Sequence, residues 1–295
     1  MKALIIGGKG QLGTTLTQTV PQSIACRSLD LPEIDITDAN AVEAVVTDEK
    51  PDVIINASAY TAVDRAEEEV DLAFAVNATG PKNIARAARQ TGARLIHVST
   101  DYVFDGTACT PYPPEAPCSP LGVYGKSKHQ GEIAVLDVID DPVIIRTSWL
   151  YSRYGNNFVL TMLRFMNDRD ELRVVADQVG APTWASTLAE AIWAAVGKEN
   201  LKGIFHWSDA GVTSWYDFAV AIQEEALARG MVNRSIPIHP ITTADYPTLT
   251  TRPPYSVLNC TASWRDFDVA PLQWRVALRQ MLDQGVGLKA LGCGR

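Results

Sequence analysis

The sequence predicts an α/β fold: a doubly wound parallel sheet with a smaller α/β second lobe. Three observations predict it. Short β-branched apolar runs alternate with helical patterns through the first 150 residues. A glycine-rich turn joins the first run to the first helical segment. Beyond residue 150 the rhythm loosens into helices with only short extended pieces between them. Apolar runs flanked by helices imply strands covered on both faces, and hence a parallel sheet.

In chain order, "KALIIG" is the first strand and a helix starts at about Gly10. The helical "DANAVEAVVTDEK" precedes the strand "DVIINASA", and "VDLAFAVNATGPKNIARAARQTG" precedes "RLIHVST". "GKSKHQGEIAVLDV" leads to "PVIIRTSWL". Further on come the helices "NNFVLTMLRFM", "STLAEAIWAAVG" and "SWYDFAVAIQEEALARG". The last has Ser214 or Thr213 as N-cap and Gly230 as its stop. Leu188, Ile192 and Val196 share one helical face and read as core. "ELRVVA" and "IPIHPIT" are the extended pieces, and the proline-rich "TPYPPEAPCSP" reads as an ordered loop beside a strand mouth. The expected division is residues 1–150 as a nucleotide-binding domain and 151–295 as mainly a substrate lobe, with some segments returning to the first.

With 46% hydrophobic and 20% charged residues, the 295-residue chain can bury a sizeable core. A net charge of −8 and a pI near 5.1 argue against general affinity for nucleic acid or anionic membranes. The start is too short in apolar residues and too soon glycine-rich for a signal peptide, and no run reaches membrane-span length, so a cytoplasmic protein is expected. Cys26, Cys109, Cys118, Cys260 and Cys293 show no C-x-x-C spacing and read as scattered structural thiols.

"GGKGQLG" places Gly7, Gly10 and Gly13 between strand and helix. Glycines there let the backbone approach a pyrophosphate whose charge is met by amides at a helix N-terminus, including those of Gln11 and Leu12. The expected fold is therefore Rossmann-like. Asp30 is spaced to bond an adenosine ribose, while nearby Arg27 is the alternative, an acceptor for a 2′-phosphate. NADH and NADPH both stay open.

Ligands bind at the carboxyl ends of the strands in such a sheet, so Ser99 and Thr100, closing "RLIHVST", sit where a reactive ring lies. Tyr124 and Lys128, spaced i and i+4, share one helix face that Lys126 does not. A carbonyl accepting hydride needs a proton for the developing alkoxide and a group to hold its oxygen. Tyr124 is the expected acid, Lys128 the cation beside it and Thr100 the oxygen-holding hydroxyl. His97, inside the strand, reads as a satisfied core histidine.

These residues resemble the extended short-chain dehydrogenase/reductase superfamily. "STDYVFDG", "VYGKSKHQGE", "RTSWLY", "DQVGAPT", "SWYDFA" and "TTADYPTLTTRPPYSVLN" narrow the likeness to its dTDP-4-dehydrorhamnose reductase family, from residue 1 to about 285. That resemblance implies NADPH- or NADH-dependent reduction of the 4-keto group of a nucleotide sugar, dTDP-4-dehydro-L-rhamnose. It implies coenzyme contacts from Asp35 and Ile36 in an adenine-side turn, from Ala57 and Ala59, and from Ser99. Asp101, Tyr102 and Trp149 are expected on the substrate, with Arg252 at its diphosphate. Where some family members are thought to hold a bridging magnesium by carboxylates, this chain has Thr15, Ser186 and Gln284, so no such metal is expected and a homodimer stays open. Two alternatives remain. A sister dehydratase or epimerase shares the motifs, but a dehydratase's Thr-Asp-Glu triplet is here Thr100-Asp101-Tyr102. A non-catalytic subunit resembling the regulatory β subunit of methionine adenosyltransferase is the other.

Overall fold

The computed structural model describes residues 1–285, so Cys293 lies outside the described residues. Six strands form one all-parallel sheet: β1 (Lys2–Ile6), β2 (Ala25–Leu29), β3 (Val53–Asn56), β4 (Arg94–Thr100), β5 (Val143–Thr147) and β6 (Gly203–Trp207). Their order is β6-β5-β4-β3-β1-β2. From β1 the chain moves outward to β2, then returns to place β3 on the other side of β1. The direction of winding reverses between β1 and β3, so the crevice for a ligand opens at the carboxyl ends of those strands.

Side chains alternate across the sheet because successive Cβ atoms point to opposite faces. Ile5, Ile55, Ile96 and Ile145 are buried on one face, beneath α1 (Gln11–Gln18). Leu4, Ile6, Ile54 and Ile144 are buried on the other, with Val42 and Val46 of α2 (Ala39–Glu49), Ile84 of α3 (Gly80–Thr91) and Val135 of α4 (Val123–Leu136). Burial of each such aliphatic side chain stabilises the fold by about 1.5–3 kcal/mol.

A separate apolar core joins α5 (Phe158–Asp168), α7 (Trp215–Ala228) and α8 (Trp274–Asp283). Between them in sequence, α6 (Ala185–Val196) packs with Leu188, Ile192 and Val196 on the sheet instead, and the chain then supplies β6. Ser214 caps α7 by accepting from the Asp217 amide at 3.0 Å, and Gly230, at φ +66°, turns the chain beyond it. His97 is buried as expected, with Nδ1 3.0 Å from the Asn56 side-chain Nδ2, but its Nε2 has no partner and so it is only half satisfied.

Three local departures from the sequence pattern position the site. The third strand stops at Asn56, whose carboxamide oxygen accepts from the Ser58 amide at 3.1 Å, so Ala57–Ala59 form a loop. The long helical pattern over 70–92 is interrupted by a π turn at Ala75–Thr79, where the Asn77 carboxamide bonds both the amide and the carbonyl of Tyr60. The sixth strand, "GIFHW", was hidden by the polar His206, which is buried with Nδ1 3.0 Å from the Tyr112 carbonyl.

Candidate active site

The glycine turn is folded against the loop that follows β3. Gly7 has φ +90°, and a Cβ there would lie 2.5 Å from the Ser58 nitrogen. A Cβ on Gly13 would run into the Gly7 carbonyl oxygen. Gly10 is the extended N-cap of α1 and offers no side chain to its amides, which leaves the first-turn N–H groups facing outward. This backbone cradle fits a pyrophosphate. Gln11 turns its side chain away, accepting from Ser152 at 3.1 Å and Asn157 at 3.0 Å, and so ties α1 to the second lobe.

At the end of β2, Asp30 accepts from the Lys9 amide and from its own neighbour Leu31, each at 2.8 Å. The Lys9 ammonium reaches the Leu31 carbonyl and lies 3.4 Å from Glu33. Arg27 does not reach this place. It lies within β2 and pairs with Glu49 at 2.8 Å, outside the cleft, so the cation beside Asp30 is Lys9. Asp35 forms a turn by accepting from the Thr37 amide at 2.9 Å and hydroxyl at 2.7 Å, which holds its carboxyl below the usual range. Ile36 packs against Gly80, whose missing Cβ leaves it room.

From this end a cleft of about 760 Å³ runs to the mouth of β4. It is lined by every site residue expected from the sequence except Gly13, which lies beneath the cradle, and the alternative ribose-side cation Arg27. Ala57 and Ala59 form its wall, and the buried Ser99 hydroxyl has no protein partner. Helix α4 brings Tyr124 and Lys128 to the same place. Glu67 caps its start, accepting from the Val123 amide at 2.9 Å. Gly125 and Gly131 let α4 close onto the carbonyls of Tyr102 and Asn77. The Tyr124 ring meets Tyr102 edge-on with centroids 5.4 Å apart.

Lys128, 2% exposed, donates to the Val98 carbonyl at 2.7 Å. Burial lowers its ammonium to about 8. Burial likewise pushes the Tyr124 phenol up to about 12, opposed by the Thr100 hydroxyl and reinforced by Asp101. The Lys128 ammonium is held by the backbone of β4, one helical turn from the phenol. The phenol is therefore protonated at neutral pH, ready to give a proton rather than take one.

Trp149, two residues beyond β5, has φ +45° and stacks on Trp215 with ring centroids 3.5 Å and planes 6° apart. Phe158 lies 4.7 Å from Trp215. Trp149 thus presents an aromatic wall to the cleft while its other contacts pack on the second apolar core. Arg252 reaches across to Asp64 at 2.7 Å, leaving its Nε and Asp64 Oδ1 buried without partners. Lys9, Phe158 and Trp215, which line the cleft, and Asp64, which holds Arg252, are residues that sequence reasoning did not select. "SWYDFA" was the available signal for Trp215, though as a helix start rather than an aromatic wall.

Cys118, His129 and Glu132 place potential ligand atoms within 4.8 Å of one another. Arg146 already engages two of the three: it takes both Glu132 oxygens, at 2.9 and 2.7 Å, and lies 3.1 Å from Cys118 Sγ.

A family model described as the RmlD substrate binding domain matches residues 1–286. The dTDP-4-dehydrorhamnose reductase of Aggregatibacter actinomycetemcomitans is 43% identical, over 95% of this chain and 98% of the relative. The crystal structure of a dTDP-4-dehydrorhamnose reductase from Clostridium acetobutylicum is 40% identical with a TM-score of 0.89, over 96% of this chain and 99% of that one. The enzyme of that name from Bacillus anthracis, solved in complex with NADP, is 35% identical with a TM-score of 0.90 at the same coverage. With its whole sheet, cleft and second lobe inside the matched span, the chain belongs to the dTDP-4-dehydrorhamnose reductase family.

Proposed function

We propose that this protein reduces the 4-keto group of dTDP-4-dehydro-L-rhamnose to give dTDP-L-rhamnose, using NADPH or NADH. The observation that carries the reading is one continuous cleft with a pyrophosphate cradle at one end and Thr100, Tyr124 and Lys128 at the other. The first-turn amides of α1 hold the pyrophosphate, Asp30 and Lys9 meet the adenosine ribose, and Asp35 and Ile36 border the adenine. When bound, the coenzyme supplies the hydride. Tyr124 gives its phenolic proton to the carbonyl oxygen, and Thr100 holds that oxygen in place. The Lys128 ammonium favours the phenolate left behind. Trp149 and Trp215 cover the sugar, and Arg252 leaves Asp64 for the diphosphate, where a guanidinium matches phosphate oxygens in pairs.

Among the described residues no helix is long and apolar enough to cross a membrane. A charged sugar nucleotide is found with its makers in the cytoplasm, and we place the protein there. The test mixes purified protein, either coenzyme and freshly generated dTDP-4-dehydro-L-rhamnose, and follows coenzyme absorbance and product together. Coenzyme oxidation matched by dTDP-L-rhamnose is expected. Coenzyme binding without oxidation would point to a different keto-sugar or to a non-catalytic subunit.

A further inference from the structure

Asp101 has no task in that scheme, although it touches the machinery directly. It is 1% exposed, its Oδ1 lies 3.0 Å from Thr100 Oγ1, and its Oδ2 is buried without a partner. The Thr100 oxygen also accepts from the Tyr102 amide at 3.2 Å, and the Thr100 hydroxyl is one of the groups that act on the Tyr124 phenol, lowering it against burial. One hydroxyl therefore stands among an acid, a backbone donor and a buried carboxyl.

A hydroxyl has one proton and two lone pairs, so its partners constrain one another. The Tyr102 amide fills one lone pair. If Asp101 is ionised it can only accept, so the Thr100 proton turns to it, and the second lone pair is free to draw in the Tyr124 proton. Both donors then point away from the substrate. If Asp101 is neutral, its own O–H fills the second lone pair. The Thr100 proton is released toward the cleft, and Tyr124 finds no acceptor on Thr100.

We propose that Asp101 is a positioning residue whose neutral carboxyl aims the Thr100 and Tyr124 hydroxyls at the substrate carbonyl oxygen. This rests on the reductase reading above. No proton leaves Asp101: the reduction is complete with the hydride and the Tyr124 proton. Burial raises the Asp101 carboxyl to about 6, against the hydroxyls of Ser256 and Thr100 and the local backbone amides, so the neutral form takes over as pH falls through that value. The titratable neighbours are the Tyr102 and Tyr124 phenols, with the Arg252–Asp64 pair beside Tyr102. Lys128 stands one helical turn beyond Tyr124, on the Val98 carbonyl.

Two measurements test this. In single turnover, the wild-type rate is expected to fall about tenfold as pH rises from 5 to 8, the worth of one modest hydrogen bond to the developing alkoxide. Asp101→Asn, which keeps the shape but does not titrate, and Thr100→Val should each lose that limb. Retention of the limb in Asp101→Asn would overturn the proposal. Independently, carboxyl ¹³C NMR of the coenzyme-free protein, with Asp101 identified by its loss in Asp101→Asn, should show its titration midpoint rise in Thr100→Val. An unmoved midpoint would overturn the coupling. Absence of wild-type turnover would defeat the reductase reading instead, and the NMR titration would still decide whether Asp101 and Thr100 are coupled.

Discussion

Replacing Gly7 by alanine tests the cradle on which coenzyme binding depends. At φ +90° an L-residue is strained by about 1–2 kcal/mol. The added methyl would also meet Ser58 N at 2.5 Å, and Ala57 C and Ser58 Cα at 2.7 Å. These are backbone atoms at the end of a buried strand, not a side chain that can swing aside, so overpacking adds about 1–3 kcal/mol. Gly7→Ala should therefore lose about 2–5 kcal/mol in urea unfolding, and its NADPH affinity by fluorescence titration should fall at least about tenfold. Gly92→Ala is the internal control. Gly92 also has positive φ, +75°, but a Cβ there meets nothing within 4 Å. Its loss should stop at about 1–2 kcal/mol, with coenzyme affinity unchanged. Equal losses in the two variants, or an undiminished NADPH affinity in Gly7→Ala, would refute the close-approach argument.

Three further outcomes are expected. Tyr124→Phe keeps the ring and removes the acid, so turnover should drop about 10²–10⁴-fold while the coenzyme dissociation constant stays within about threefold; near-normal turnover would remove Tyr124 from the chemistry. Lys128 is lowered from 10.5 to about 8 by burial, so the folded protein releases this proton earlier than the unfolded chain and stability rises with pH between those values. Below pH 8 the full penalty acts, on the order of 3 kcal/mol, so Lys128→Met should raise the urea midpoint at pH 7, lose that advantage above pH 10.5, and abolish turnover; a destabilised variant at pH 7 would contradict it. Glu132→Gln leaves the Arg146 guanidinium buried beside a neutral amide, and thermal or urea unfolding should register a loss of about 3–5 kcal/mol; a loss below about 1 kcal/mol would show that Cys118 and the Pro114 carbonyl suffice for Arg146.

What was legible in the sequence was local. The glycine turn between strand and helix, the hydroxyls closing β4, and the i, i+4 pair Tyr124 and Lys128 are short-range patterns, and the structure gathers them along one cleft. Arg27 misled because closeness to Asp30 in sequence does not say where a side chain in β2 goes; it pairs with Glu49. The orientation of Lys128 was equally hidden, since spacing fixes the helix face but not the partner, here the Val98 carbonyl. Long-range contacts left no mark at all. Arg252 finds Asp64 across 188 residues, and Trp215 meets Trp149 from the other lobe. Strand β6 escaped because a buried histidine breaks its apolar run, its Nδ1 reaching a carbonyl distant in sequence.

The most direct test of the central claim follows the hydride itself. Purified protein would be given NADPH deuterated at the transferable C4 position and dTDP-4-dehydro-L-rhamnose, and the sugar product examined by NMR. One deuterium at C4 of dTDP-L-rhamnose, with one coenzyme oxidised per sugar, is the expected result. An unlabelled product, or coenzyme that stays reduced while the sugar is merely isomerised, would contradict the reductase assignment.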